Sequence, residues 1–348
     1  MRIVLFCHSV RSDWNHGNAH FLRGVATELI ARGHAVDIYE PADGWSAKNL
    51  MEQHGDEALD GWRPSYPLIE TNVYDEADLC LDRVLGAADL VLVHEWNNPE
   101  LVTRIGRHRA EGGNYVLLFH DTHHRSATDP DAMAGYDLDN YDGVLAFGEV
   151  IRDLYLREGW AKRAWTWHEA ADTRVFHPVA GEPNQGDVVW IGNWGDGERT
   201  AELKEFLIDP IRELGLQARI YGVRYPDEAL RMLADAGIEY SGWLPNYEAP
   251  RVFACFRLTV HIPRRPYTKA LPGIPTIRMF EALACGIPLI SAPWKDTEHL
   301  FAAGCEYLVA TDGAEMKSQM RMLLDNPERR AQLASAGIDS IHTRHSCA

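Results

Sequence analysis

The run GIPTIRMFEALACGIPLIS, residues 273–291, places Arg278 and Glu281 one helical turn apart inside an otherwise apolar segment. Pro275 and Thr276 mark a helix start, since proline suits the first turn and a threonine hydroxyl can cap free backbone N–H groups. Gly286 ends the helix, and Gly273, in the turn Leu271-Pro272-Gly273, lets backbone approach a ligand closely. A helix N-terminus offers unpaired N–H donors and the positive end of a dipole, which suits a phosphate. Arg278 opposes that dipole, and an anionic ligand would be a reason for it. Glu281 is placed to accept hydrogen bonds from a ribose diol. The competing reading is an internal i,i+3 ion pair, worth only about 0.2–0.5 kcal/mol on a solvated face. Met279, Phe280, Leu283 and Ala284 leave little of this helix solvated.

A second set of reactive side chains lies in the first half. His8-Ser9, His94-Glu95, His120-Asp121 and Gly148-Glu149 each follow a short apolar run, and His16-Gly17 lies in WNHGNAH between the first strand and first helix. An unperturbed imidazole titrates near neutrality, so a histidine such as His16 can act as a general base. Asp121 with His123 and His124 could ligate a metal, but the spacing is loose and no matching cluster accompanies it, so no metal is expected. A third candidate, IGNWGDGERT (191–200), is glycine-rich after a strand and before a helix. Its glycines at 192, 195 and 197 do not fit the dinucleotide spacing, and the strand that follows carries no acidic end for a ribose.

The elements that must position these groups alternate. RIVLFC, HAVDIYE, DLVLVHE, NYVLLFH and GVLAF read as strands, separated by helices such as GNAHFLRGVATELIARG, EADLCLDRVLGA and NPELVTRIGRHRAEGG. The first of these helices carries Phe21, Val25, Leu29 and Ile30 on one face. Residues 41–75 are polar, with scattered Trp and Pro, and no element is assigned to them. WHEAADTRVFHP (167–178) breaks the alternation, and PVAGEPNQG reads as a linker. Alternation then restarts with DVVWIG and runs through ARIYG, EYSG, LTVHI, IPLIS and EYLVA to two closing helices. Strands alternating with helices mean parallel sheets covered on both faces. The expected architecture is two doubly wound α/β domains, 1–175 and 187–348, joined by a linker at 176–186. In such sheets ligands sit outside the carboxyl ends of strands.

Composition narrows the partners. The net charge is −17, with 16 Lys+Arg against 29 Asp+Glu up to residue 175 (−13) and 18 against 22 after it (−4). Nucleic acid and anionic membranes are therefore not expected partners, and the less acidic second half is the better place for an anionic ligand. MRIVLFCHSV is too short an apolar run for a signal peptide, and no stretch approaches the roughly 18 apolar residues of a membrane span. Six scattered cysteines without a CxxC pair suggest buried thiols in a reducing, cytoplasmic setting.

On these residues the chain resembles nucleotide-sugar glycosyltransferases of the GT-B fold, two Rossmann-like domains facing a cleft. FEALACGIPLIS after a Pro/Gly turn looks like their donor site, and ADTRVFHP looks like the interdomain segment of the retaining branch, glycosyl transferases group 1. VVWIGNWGDGERTAEL, HIPRRPY and PGIPTIRMFEALACG look closest to spore-maturation-protein-like members. Coverage is good from about residue 165 onward and weaker before it. Relatives usually run on past this point with a helix that crosses back to the first domain, which leaves a trimmed C-terminus open.

The resemblance implies a donor site in which Glu281 binds the ribose hydroxyls and the turn Gly273, Ile274, Pro275 and Thr276 meets the diphosphate, with Arg278 beside it. Gly242, Trp243 and Leu244 match the loop beside the nucleobase, with a purely structural Trp243 as the alternative. Arg264, Arg265 and Lys269 are cationic candidates for the diphosphate or a solvated loop, and Asn193 and Arg199 are further donor contacts. His120 and Asp121 match the place where relatives present a histidine to the donor sugar. His16 and Gly17 would face the leaving group or the acceptor, with His94 and Glu149 on the acceptor side. The retaining branch often has a second glutamate eight positions before the ribose-binding one. That position is Gly273 here, so the donor sugar and the stereochemical outcome stay open. The implied activity is metal-independent, cofactor-free transfer of a sugar from a nucleotide-diphosphate sugar, guessed as a UDP-sugar, to a sugar or small-molecule hydroxyl. If the outcome is inverting, His16 or Asp121 is the candidate base. Alternatives are a nucleotide-sugar 2-epimerase on the same fold and a non-catalytic nucleotide-sugar-binding module.

Overall fold

A computed structural model describes residues 1–348. The chain divides into two compact units, Met1–Glu169 (with Ala348) and Ala170–Cys347. The first unit holds seven strands: β1 Arg2–Phe6, β2 Ala35–Pro41, β3 Thr71–Tyr74, β4 Leu90–His94, β5 Val116–Asp121, β6 Gly143–Ala146 and β7 Ala164–Thr166. They are all parallel, in the order β3-β2-β1-β4-β5-β6-β7. The second unit holds β8 Gly186–Ile191, β9 Ala218–Tyr221, β10 Glu239–Tyr240, β11 Phe256–His261, β12 Leu289–Ser291 and β13 Leu308–Val309. These too are all parallel, in the order β10-β9-β8-β11-β12-β13. Each sheet reverses direction of growth once, between β1 and β4 and between β8 and β11, and those switch points are where doubly wound sheets open a binding crevice.

The buried strand centres are aliphatic, as sheets covered on both faces require: Ile3, Val4 and Leu5 in β1, Val188 and Val189 in β8, Leu258 and Val260 in β11. Several details differ from the sequence-based expectation. Residues 41–75 are ordered into the helix Trp45–His54, a 3₁₀ turn at Asp56–Leu59 and the edge strand β3, and Trp62 and Tyr66 there are fully buried. The helix expected over EADLCLDRVLGA shrinks to Leu81–Leu85, because Leu79 and Cys80 are extended and the Arg104 guanidinium takes the carbonyls of Glu76 and Leu79. On the helix Ala19–Ala31, Phe21 is buried, whereas Val25, Leu29 and Ile30 are only half-buried. Arg23 on that helix is fully buried. It reaches the Val10 carbonyl at 2.7 Å and the Asp13 carboxylate at 3.0 Å, with the rings of Trp62 and Tyr66 at 5.4 and 5.6 Å. The helical stretch from Thr200 to Leu214 contains a π turn at Lys204–Ile208, just before Pro210, which has no N–H to return to the helix.

Candidate active site

In the second unit, the loop after β8 and the loop after β11 come from the two strands that flank the switch point. The first carries Gly195 at φ +85°, Asp196 at φ +51° and Gly197 at φ +84°, a left-handed run that folds the backbone back on itself. Gly195 is where the loops converge. A Cβ there would stand 3.2 Å from Arg199 Nε and 3.4 Å from Arg264 Nε, so a glycine lets the two guanidiniums close over the turn. Arg199 is buried, donates to the carbonyls of Ile262 (2.7 Å) and Asn193, and lies over the Trp190 ring at 5.0 Å. Burial, then the neighbouring charge of Arg264, then that of Arg278, hold its pKa down at about 9. The charges of Arg264 and Arg278 both bear on the buried Arg199, and an anion bound beside it would relieve that repulsion.

The other expected donor contacts lie around this cluster in different roles. Asn193 is half-buried, and its side-chain oxygen accepts from the Val223 N–H at 2.8 Å. Arg265 turns to Glu202 (3.0 Å) and the Gly197 carbonyl (3.0 Å), and Arg264 reaches Glu198 at 3.4 Å. Lys269 is exposed at the end of the short helix Arg265–Lys269. Gly242 has φ +71° and accepts from the Gly222 N–H, while Trp243 and Leu244 are half-buried.

The helix Ile277–Ala284 begins where expected, at Thr276, but the Thr276 side chain makes no capping hydrogen bond; only its carbonyl accepts, from Met279 N at 3.0 Å. Arg278 and Glu281 form the internal i,i+3 pair, and Arg278 also reaches Asn246 Oδ1 at 3.4 Å. Glu281 is fully buried and a quarter of the Arg278 side chain is exposed. The turn before the helix is held from the loop after β12: Gly273 N–H donates to the Lys295 carbonyl at 2.8 Å and the Trp294 indole donates to the Ile274 carbonyl at 3.0 Å. Gly273 has φ +94°, and a Cβ on it would stand 2.5 Å from Thr297 Oγ1 and 3.0 Å from Glu298 Oε1. The carboxylate absent from position 273 thus has a neighbour, Glu298, arriving from another loop. His261, at the carboxyl end of β11, was also missed in the sequence. Its Nδ1 meets Ser291 Oγ at 2.9 Å, its Nε2 is buried without a partner, and burial lowers its pKa to about 3.

In the first unit, four histidines at or after the carboxyl ends of β1, β4 and β5 form a chain. Ring centroids are 5.2 Å apart for His8–His16, 6.2 Å for His16–His94 and 5.3 Å for His94–His120. All are buried, and burial lowers His8 to about 4, His120 to about 3 and His16 and His94 well below the ordinary imidazole value. They are neutral at pH 7, so each ring offers one N–H and one lone pair. His16 Nε2, His94 Nδ1 and both nitrogens of His120 are buried without a partner, while His94 Nε2 meets Thr122 Oγ1 at 2.9 Å. Gly17 is half-buried and its carbonyl accepts from the His20 N–H at the helix start.

Parallel register sets His94 opposite His120, so the next residues, Glu95 and Asp121, are brought together. Burial raises both carboxyls, Asp121 to about 6 and Glu95 well above the usual range, and each raises or engages the other. Asp121 accepts from the Tyr155 hydroxyl (2.9 Å) and the His123 N–H (3.0 Å), and Glu95 pairs with Arg125 at 3.3 Å. Both Asp121 oxygens are engaged, which fits a residue that locks the turn presenting His120. Glu149 lies away from this group, on the surface with Arg152 at 3.4 Å. No three His, Cys, Asp or Glu side chains stand together in an arrangement that would hold a metal ion, and no helix is long and apolar enough to cross a membrane.

Residues 199–348 match the family model described as "Glycosyl transferase-like". No curated protein matches the chain in sequence. Among solved structures, HepE of Anabaena, in complex with UDP and glucose, is similar over 100% of this chain and 96% of its own, at a TM-score of 0.69 and 16% identity. The sucrose-phosphate synthase of Thermosynechococcus elongatus is similar over 99% of this chain and 95% of its own, at a TM-score of 0.64 and 15% identity. An α-glucosyltransferase in complex with UDP and a 13-mer DNA containing an HMU base covers 99% of this chain and 96% of its own, at a TM-score of 0.71 and 11% identity. At these identities the likeness is one of fold, and the fold is GT-B.

Proposed function

We propose that this GT-B chain, whose residues 199–348 carry the Glycosyl transferase-like sequence, is a glycosyltransferase that takes a sugar from a nucleoside diphosphate sugar, UDP-linked by preference, and gives it to an acceptor hydroxyl. The observation that carries the reading is the convergence of Arg199 and Arg264 on Gly195, with Arg278 close enough to add to their repulsion. Guanidiniums held in place before the ligand arrives stabilise charge as it develops on a departing diphosphate, without reorganisation at the moment of reaction. They supply the positive charge that a divalent ion supplies elsewhere, which favours metal-independent transfer. Two solved structures of the same fold hold UDP, and that supports the choice of nucleotide.

In the reaction the bond from the sugar's anomeric carbon to the diphosphate oxygen breaks, and the acceptor oxygen bonds to that carbon. The acceptor proton goes to the departing phosphate oxygen in a retaining, front-face transfer, the outcome favoured by the resemblance of ADTRVFHP to the retaining branch. A neutral His120 can hydrogen-bond a sugar hydroxyl. With a pKa near 3 it would be a weak base. His16 also keeps an unshared nitrogen, but burial lowers it well below the ordinary imidazole value too, so a base role for either histidine needs an acceptor hydroxyl that binding has already acidified.

A thermal-shift titration with UDP, GDP, ADP and dTDP, followed by a nucleotide-release assay on the matching sugar conjugates, tests this. A ligand that binds only the folded state raises apparent stability. One diphosphate should do so in metal-free buffer, and Arg264→Ala should weaken it about tenfold or more while leaving the melting temperature of the free protein nearly unchanged. Stabilisation by none of the four would sink the reading. A sugar altered without nucleotide release would point to an epimerase instead.

A further inference from the structure

We infer that the first unit carries a binding platform for an uncharged saccharide, formed by Trp45 and Trp96, each packed near His8, and that the acceptor is itself a carbohydrate. This rests on the transferase reading above for the word acceptor, but the platform is argued from its own residues.

Large aromatic side chains are normally withdrawn from water, and a pair of tryptophans left open at one place marks a contact surface. Trp45 is 44% exposed and Trp96 is 39% exposed. Each indole lies 6.3 Å from the same ring, His8, in the loop that leaves β1 at the switch point of the sheet. Neither indole hangs loose. Trp45 packs edge-on against buried Trp14 at 5.1 Å, and Trp14 is fixed by its indole N–H to Gln53 at 2.8 Å. Trp96 has the Arg125 guanidinium over it at 4.1 Å and His123 against it at 5.1 Å. Arg125 is pinned in turn by the Glu95 carbonyl, the Glu95 carboxylate and the Tyr136 hydroxyl. One side of each indole is thus backed by protein while part of the ring stays open.

A flat apolar surface with polar groups at its edge fits a pyranose. The ring's C–H face packs on an indole, and its hydroxyls need partners that both donate and accept. Neutral imidazoles do both. His8 lies near both indoles, and His16, 5.2 Å from it, keeps Nε2 buried without a partner. Charge argues against the other flat or polymeric ligands. Residues 1–175 carry 16 basic against 29 acidic side chains, a net −13, which repels phosphate-rich chains such as the DNA held by one fold relative.

Saturation-transfer NMR on the full chain tests this. The probes are methyl α- and β-glucopyranoside, N-acetylglucosamine, lactose, cellobiose and N-acetylchitobiose, set against glycerol 3-phosphate and a short single-stranded oligodeoxynucleotide. Irradiating the indole protons should pass magnetisation to at least one saccharide, most strongly to hydrogens on one ring face. Trp45→Ala and Trp96→Ala should each weaken that saccharide roughly tenfold. Trp45→Phe and Trp96→Phe should keep most of the binding. Stabilisation by UDP should be unchanged in all four variants, so a failure here is distinguishable from a failure of the donor site. The inference is overturned if no saccharide receives magnetisation, if the alanine variants bind the saccharide as well as the parent does, or if only the oligonucleotide or glycerol phosphate responds.

Discussion

At the scale of single residues, the donor-site argument turns on groups whose backbone or burial leaves no slack. Gly195 sits at φ +85° with two guanidinium stems within 3.4 Å of its missing Cβ. Gly195→Ala should cost about 1 kcal/mol in backbone strain and push Arg199 or Arg264 aside. The expected result is a modest drop in melting temperature with a much larger loss of diphosphate affinity, both read from one thermal-shift series. Arg278 behaves differently. Its partner Glu281 is fully buried, and removing one member of a buried pair typically costs about 3–5 kcal/mol. Arg278→Ala should therefore lower stability before any ligand is added, whereas Arg278→Lys should keep the fold and lose binding, as urea melts with and without UDP would show.

At the scale of elements, the loop after β1 is the one that the histidine chain and the tryptophan platform depend on. Arg23 reaches out of the helix Ala19–Ala31 to hold that loop at Val10 and Asp13. Glu40 holds it from β2, accepting from Ser9 Oγ at 2.8 Å and Arg11 Nε at 2.6 Å. Arg23→Ala leaves the Asp13 carboxylate buried without its cation and should destabilise the first unit by about 3–5 kcal/mol, with hydrogen exchange rising first at residues 8–16. Wild-type protection in that segment would refute the tether. The sequence hid this element because periodicity assigns an arginine amid Phe21, Leu22 and Val25 to the solvent side. What reverses the assignment is the pair Trp62 and Tyr66, which arrive from the stretch where no hydrophobic period exists. The second unit was far more legible. Its glycines and its Pro-Thr helix start follow familiar turn and helix signals, its misplaced charges break them, and both kinds of mark are visible in one dimension. Trp45 and Trp96 violate nothing locally, because exposure is a property of the packed structure alone.

At the scale of the whole molecule, the alternation of strands and helices announced two parallel sheets, and the two switch points follow from connectivity. The edge strands β3 and β7 were not foreseen, being short and only partly buried. The acid behaviour of the chain follows from its buried imidazoles. His8, His16, His94, His120 and His261 all have pKa values depressed below the unfolded 6.5. The stability they contribute is complete above pH 6.5 and is lost as pH falls through the folded values, about 4 for His8 and about 3 for His120 and His261. Asp121 and Glu95 act with the opposite sign. The native state keeps a proton there that the unfolded chain releases, so their contribution shrinks as pH rises from about 4 to about 6. Five groups outweigh two, and melting temperature should fall steeply from pH 6.5 to 4. His8→Gln should flatten that fall; an unchanged slope would contradict the assignment.

Glu298 bears on what position 273 can hold. Position 273 holds a glycine whose conformation suits no other residue, beside a carboxylate supplied from the loop after β12. With both in place, a glutamate at 273 would meet a strained backbone and an occupied space together. The two positions should then be coupled across lineages: chains with glycine at the first should keep an acid at the second, and chains with the glutamate should be free to lose it.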